Sequence, residues 1–150
     1  MVISNLNIKL IEDRLGFISK AVARLKRLSY LDERDFLDDD NPAIAESYLR
    51  RSLEATFDIG RHIIAKSAGK GIVEYKEIAS ELGDRGVITK QLAKRLRLMA
   101  GYRNRLVHFY HEVNDKELYL ITKSNLADIE GFVKEIKTFI ESYRQMKSKD

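Results

Sequence analysis

Apolar residues spaced three and four apart, over long stretches that almost no proline interrupts, constrain this chain more than any other feature. From Leu6 onwards, Leu10, Ile11, Leu15, Ile18, Val22, Leu25 and Leu28 keep to that spacing and predict one amphipathic helix ending near Ser29. Gly16 inside it costs about 1 kcal/mol relative to alanine, which those anchors outweigh. Asn41 and Pro42, the only proline, stand in the order of an N-cap and a first helical residue. The helix predicted from there runs to about Ser67, with Ile44, Tyr48, Leu49, Phe57, Ile59, Ile63 and Ile64 on or near its buried stripe and "AGKG" as its stop. A short helix from about Tyr75 to Leu82 ends at Gly83, and "DRGVI" leads to Thr89, the N-cap of a basic helix that points Leu92, Leu96 and Met99 inward. Gly101 in that helix either bends it or admits another backbone. "NDKELYLITK" alternates and reads as a short extended segment, too little for a sheet. Leu126, Ile129, Phe132, Val133, Ile136, Phe139, Ile140 and Tyr143 mark a last long helix. The expectation is an all-α, up-and-down bundle of four to five helices, one domain over residues 1–150.

Composition narrows the chemistry. With no cysteine the chain has no disulfide, no thiol nucleophile and no thiolate zinc site, and a reducing compartment suits it. There is neither a signal-peptide pattern nor an apolar run near the ~20 residues of a membrane span, so the expected location is the cytoplasm. The net charge of +4 permits an anionic partner without deciding one; its distribution says more. Six Lys or Arg and no acid lie between Lys90 and Arg105, whereas Leu31 to Asp58 holds nine acids against three bases. The first segment suits an RNA backbone, with Lys94, Arg97 and Arg105 as candidate contacts. The acidic "DERDFLDDD" is either a solvated connector or a surface for a basic partner.

The chemistry concentrates in "YRNRLVHFYHEV", residues 102–113, which holds two of the three histidines. Histidine both takes and gives a proton near neutrality. Arginine stays charged and grips phosphate oxygens with a planar fork, and asparagine orients either. Arg103, Asn104 and His108 therefore suffice to cleave RNA without a metal: the histidine assists attack of a ribose 2′-hydroxyl or protonates the leaving oxygen, and the arginine stabilises the charge that develops. At about 100° per residue, Asn104, His108 and His111 would share one helix face and Arg103 and Tyr110 an adjoining one. Two copies facing each other across a dimer axis complete such a site more easily than one. His111 either assists, as a further candidate RNA contact, or faces solvent, and Tyr102 packs. Asp58 and His62, at i and i+4, could hydrogen-bond on one face, line the dimer cleft or form half a metal site that lacks a third ligand.

"RNRLVHFY" resembles the Arg-x4-His-x-Tyr signature of the HEPN superfamily, specifically the HepT-like toxins paired with minimal nucleotidyltransferases (MNT). The likeness extends to the long first helix, to "SLEATFDIGRHII", to the "GVI" turn and to the C-terminal helix, nearly the whole chain. It implies a homodimeric toxin acting as a metal-independent endoribonuclease, with no cofactor. Arg103 and His108 would be the ribonuclease pair, Asn104 the polar residue after the arginine, and Tyr110 the tyrosine to which the antitoxin nucleotidyltransferase attaches AMP. Bulk and negative charge on Tyr110 would block the place of an RNA phosphate beside Arg103. The alternative is a bundle that holds a nucleotide or RNA without cutting it, or a helical partner-binding protein.

Overall fold

The computed structural model describes residues 3, 5–68, 71, 72, 74–108 and 113–149. Among them lie seven helices and no strand: α1 (Ile8–Ser29), α2 (Glu33–Phe36), α3 (Asn41–Ala68), α4 (Tyr75–Asp84), α5 (Lys90–Val107), α6 (Asp115–Ser124) and α7 (Leu126–Ser148). No described helix is long and apolar enough to cross a membrane. The all-α bundle is as expected, and two helices, α2 and α6, join the five that the periodicity predicts.

α1 follows from its sequence directly. The Asn7 side chain accepts the Leu10 N–H at 3.1 Å and caps the helix, and Ile11, Leu15, Ile18, Val22 and Leu25 form its buried stripe. It lies antiparallel to α3, as Arg14 beside Asp58 and Arg24 beside Tyr48 record, and antiparallel to α7, as Lys26 on Glu130 and Arg144 on Glu12 record. α4 and α5 form a second antiparallel pair, turned at Gly86, whose φ of 74° favours glycine. Thr89 caps α5 as expected, accepting from Leu92 N–H at 3.1 Å, while its own N–H donates to Glu135 of α7 at 2.7 Å. Leu92, Leu96 and Met99 point into the core. Gly60 sets α4 on α3: a Cβ there would meet Ile78 at 2.7 Å and Leu82 at 2.9 Å, so only a glycine admits this spacing.

Four local expectations are corrected. Asn41 does not cap α3: its side chain donates to the Asp35 carbonyl at 3.0 Å, which also accepts the Asp38 N–H at 3.2 Å, and the Asp40 carbonyl accepts the Ile44 N–H instead. Ile44 lies outside the core, since the buried stripe of α3 passes through Ala45, Leu49 and Leu53. The acidic connector is not merely solvated, because Phe36 is fully buried, a gain of about 1.5–3 kcal/mol that holds α2 in place. "NDKELYLITK" is helical. Asn114 caps it by accepting from Glu117 N–H at 2.8 Å, Leu118 and Ile121 are buried at helical spacing, and Tyr119 packs on Phe36 at 5.1 Å.

Candidate functional site

The polar cluster sits where α5 ends. His108 N–H donates the last helical bond, to the Asn104 carbonyl at 3.1 Å, and His108 itself is extended (φ −92°, ψ 120°). α5 ends at Val107, and the next described helix, α6, packs on α1 and α3. His108 therefore lies past the end of the helix, and the helix face assigned to it does not follow. Tyr110 and His111 lie outside the described residues.

Arg103 has the most distinctive surroundings of the three. Its guanidinium lies 4.0 Å from the centroid of the Tyr75 ring, and Tyr75 stacks on Phe57 of α3 at 4.8 Å with 13° between the planes. Arg61 approaches the same ring at 5.4 Å. Polar contacts to Arg103 are long: Nη1 donates to Asn104 Oδ1 at 3.4 Å, and Nη2 lies 3.8 Å from Glu54 Oε1. Its Nε is buried with no partner among the described residues. A buried donor left unpaired costs about 1–3 kcal/mol, so its persistence asks for a reason. The aromatic shelf fixes the guanidinium in space, while its five N–H donors stay largely uncommitted, which suits an incoming phosphate. His108, next to this group along the chain, is exposed.

The other predicted basic residues differ among themselves. Lys94 is exposed. Arg97 donates to Ser80 Oγ and, at 3.3 Å, to the Lys76 carbonyl. Arg105 is gripped by both carboxylate oxygens of Glu117, one at 2.7 Å, and this hydrogen bonding raises its pKa further. Arg95 in the same run lies 3.5 Å from Asp128. Asp58 sits between Arg14 at 3.7 Å and Arg61 at 3.4 Å. His62 Nε2 accepts the Asn7 N–H at 3.0 Å, and burial, with nearby Lys66 adding to it, lowers the imidazole's pKa. Each is thus committed to partners other than the other. Among the described residues no group of three or more His, Asp or Glu is placed to hold a metal ion.

Tyr75, Phe57 and Glu54 complete the surroundings of Arg103 and were not among the expected site residues. No spacing rule links them to the motif, because they reach it only through the packing of α3, α4 and α5.

A sequence model of the family described as ribonuclease HepT-like matches residues 18–136. This chain belongs to that family. The tRNA nuclease HepT of Aphanizomenon flos-aquae is 29% identical over 139 residues, covering 91% of this HepT-like chain and 94% of its own length. The mRNA nuclease HepT of Shewanella oneidensis is 29% identical over 133 residues, covering 85% and 96%. Among solved structures, the tri-AMPylated Shewanella oneidensis HEPN toxin in complex with MNT antitoxin is similar with a TM-score of 0.76 at 27% identity, over 86% of this chain and 97% of that one. The HEPN fold and the HepT-like family expected from "RNRLVHFY" are both borne out.

Proposed function

We propose that this HepT-like chain is the toxin of a toxin-antitoxin pair, a metal-independent endoribonuclease of the cytoplasm that acts as a homodimer. Arg103 holds the scissile phosphodiester and offsets charge as it develops. His108 moves the proton, either from the attacking 2′-hydroxyl or to the leaving oxygen, and Asn104 orients Arg103. The observation that carries this reading is the set of loosely held donors on Arg103, fixed over Tyr75 but tightly bonded to nothing, five residues before an exposed histidine. General acid-base help of this kind is worth about 10² to 10⁴ in rate.

Dimerisation through α5 is supported by its outer face. Lys94, Leu98, Gly101 and Arg105 follow one another at spacings of three and four, Leu98 is 64% exposed, and among the described residues nothing beyond the helix's own neighbouring backbone lies within 4 Å of a Cβ built on Gly101. A second α5 laid there would bring two copies of the motif to one cleft and add the charge of Lys94 to it. A minimal nucleotidyltransferase antitoxin then silences the toxin by attaching AMP to Tyr110, as the tri-AMPylated state of the Shewanella toxin suggests.

Incubating the purified protein with RNA in EDTA tests the reaction: the wild type cleaves, and Arg103→Ala and His108→Ala do not. Cleavage retained by either variant, or abolished by the chelator, refutes it, and binding without cleavage identifies a binding module instead. For the switch, mass spectrometry after co-expression with a candidate minimal nucleotidyltransferase partner finds added AMP that Tyr110→Phe removes. Unchanged modification of Tyr110→Phe would place the acceptor elsewhere.

A further inference from the structure

Most arginines of this chain stand beside a carboxylate. Arg14, Arg34, Arg50, Arg61, Arg85, Arg95, Arg103, Arg105 and Arg144 each have a carboxylate oxygen within 4.0 Å. Among the described residues the four that have none are Arg24, Arg27, Arg51 and Arg97. Three of these four line a single open groove of about 640 Å³ between α1 and α3, and no acid lines it with them. Arg97 is on α5, where it is bonded to Ser80 and the Lys76 carbonyl.

The groove is built rather than incidental. Arg24 donates to the Tyr48 hydroxyl and lies 5.2 Å from that ring, and Arg51 lies 4.8 Å from the Phe17 ring, so aromatic faces hold two of the three guanidiniums in position without quenching their charge. Arg27 is exposed and holds no partner among the described residues. The two acids on the neighbouring turns of α3 are engaged, Glu46 by Arg50 at 3.2 Å and Glu54 by Arg103 at 3.8 Å. Ile44, 42% exposed, gives the floor an apolar surface beside Tyr48.

The groove leads to Arg103. Arg51 and Glu54 are one turn apart on α3, about 4.5 Å along its axis, and Glu54 touches Arg103. From Ile44 to Glu54 the helix runs about 15 Å, room for a few nucleotides of extended chain.

We infer that the α1/α3 groove binds the backbone of single-stranded RNA flanking the bond held at Arg103, with Arg24, Arg27 and Arg51 on successive phosphates. Guanidinium forks match phosphate oxygens, and the exposed Ile44 beside the half-buried Tyr48 gives bases a surface to lie on, a combination that tolerates any base sequence. This rests on the ribonuclease reading. It moves the expected RNA track from the basic run of α5, where Glu117 and Asp128 neutralise Arg105 and Arg95, to the groove that Arg24 and Arg27 of α1 form with Arg51 of α3.

The test uses the full-length protein, a fluorescent single-stranded 2′-O-methyl RNA that offers no 2′-hydroxyl to the reaction, and a salt titration. The triple variant Arg24→Gln, Arg27→Gln, Arg51→Gln should bind about tenfold or more weakly at low salt, and the slope of log affinity against log salt should fall by about 2, near 0.7 per lost contact. The triple Arg→Lys variant should keep the slope. Arg27→Gln alone, which breaks no contact in the fold, should lower it by about 0.7, so the inference stays decidable if the triple variant melts early. With cleavable RNA, the triple Gln variant should raise KM and leave kcat at saturation unchanged. Unchanged affinity and slope in the variants overturn the inference. So does loss of binding to the nucleotidyltransferase with RNA binding intact, since the groove would then serve a protein. If the wild type binds RNA through the groove but cuts none, the ribonuclease reading fails and the groove stands. If it cuts RNA and the triple Gln variant does so with the same KM, the groove fails and the ribonuclease stands.

Discussion

Replacing Tyr75 with leucine removes the ring over which Arg103 is held. The guanidinium is 4.0 Å from the ring centroid and its side chain is only 22% exposed, so the contact belongs in the upper half of the cation–π range, about 1–2 kcal/mol. No tight carboxylate fork compensates, since Glu54 is 3.8 Å away. If that energy serves to hold the guanidinium where the transition-state charge develops, kcat/KM for RNA cleavage falls about 5- to 30-fold, at roughly 1.4 kcal/mol per factor of ten. Tyr75→Phe keeps the ring and should stay within about twofold of the wild type. The assay is steady-state cleavage of a fluorogenic RNA in EDTA, with thermal melts to separate lost positioning from a loosened α3–α4 contact, because Tyr75 also stacks on Phe57. A folded Tyr75→Leu enzyme with wild-type kcat/KM, or a Tyr75→Phe enzyme as impaired as the leucine variant, would refute the positioning role of the ring.

The remaining predictions concern the scaffold. Gly60→Ala drives a methyl into Ile78 Cγ2 and Leu82 Cδ1, and because the leucine end can swing aside while the isoleucine branch is held close to the α4 backbone the cost should be about 1–3 kcal/mol, read as a fall in Tm of a few degrees; a neutral or stabilising result would show that α4 is free to shift. His62 accepts the Asn7 N–H only when neutral at Nε2, and its pKa is lowered from 6.5 in the folded state, so the unfolded chain takes up the proton more readily. The stability it confers is full above that value and is lost as the pH falls below it. The Tm of the wild type relative to His62→Gln, which keeps an acceptor but does not titrate, should therefore drop between about pH 7 and 5. A difference that stays constant across that range would show that this bond does not sense pH.

How much of this was legible in the sequence depends on how local the deciding physics is. α1, α3, α5 and α7 announce themselves because three- and four-residue spacing and a cap such as Thr89 act within one or two turns. α6 does not, since its Asn114 cap and the Leu118–Ile121 spacing competed with an alternating pattern. What decides is tertiary, the packing of Tyr119 on Phe36 and of α6 on α1 and α3. The motif was readable because Arg103, Asn104 and His108 are near neighbours in the chain. Its shelf was not, because Tyr75 and Glu54 meet Arg103 only after Gly60 has let α4 settle on α3. Charge shows the same division: the basic run of α5 is plain in the sequence, but Glu117 and Asp128, which neutralise part of it, arrive from other helices.

The central claim is that Arg103 and His108 drive attack of a ribose 2′-hydroxyl on the neighbouring phosphate without a metal. The most direct measurement is the chemistry of the product ends in EDTA, on an RNA that the wild type cleaves and on the same RNA with a single 2′-deoxy substitution at the cleaved nucleotide. The account predicts 2′,3′-cyclic phosphate ends on the first, no cleavage at that position of the second, and neither product from Arg103→Ala or His108→Ala. Cleavage of the 2′-deoxy substrate at the same bond would contradict it.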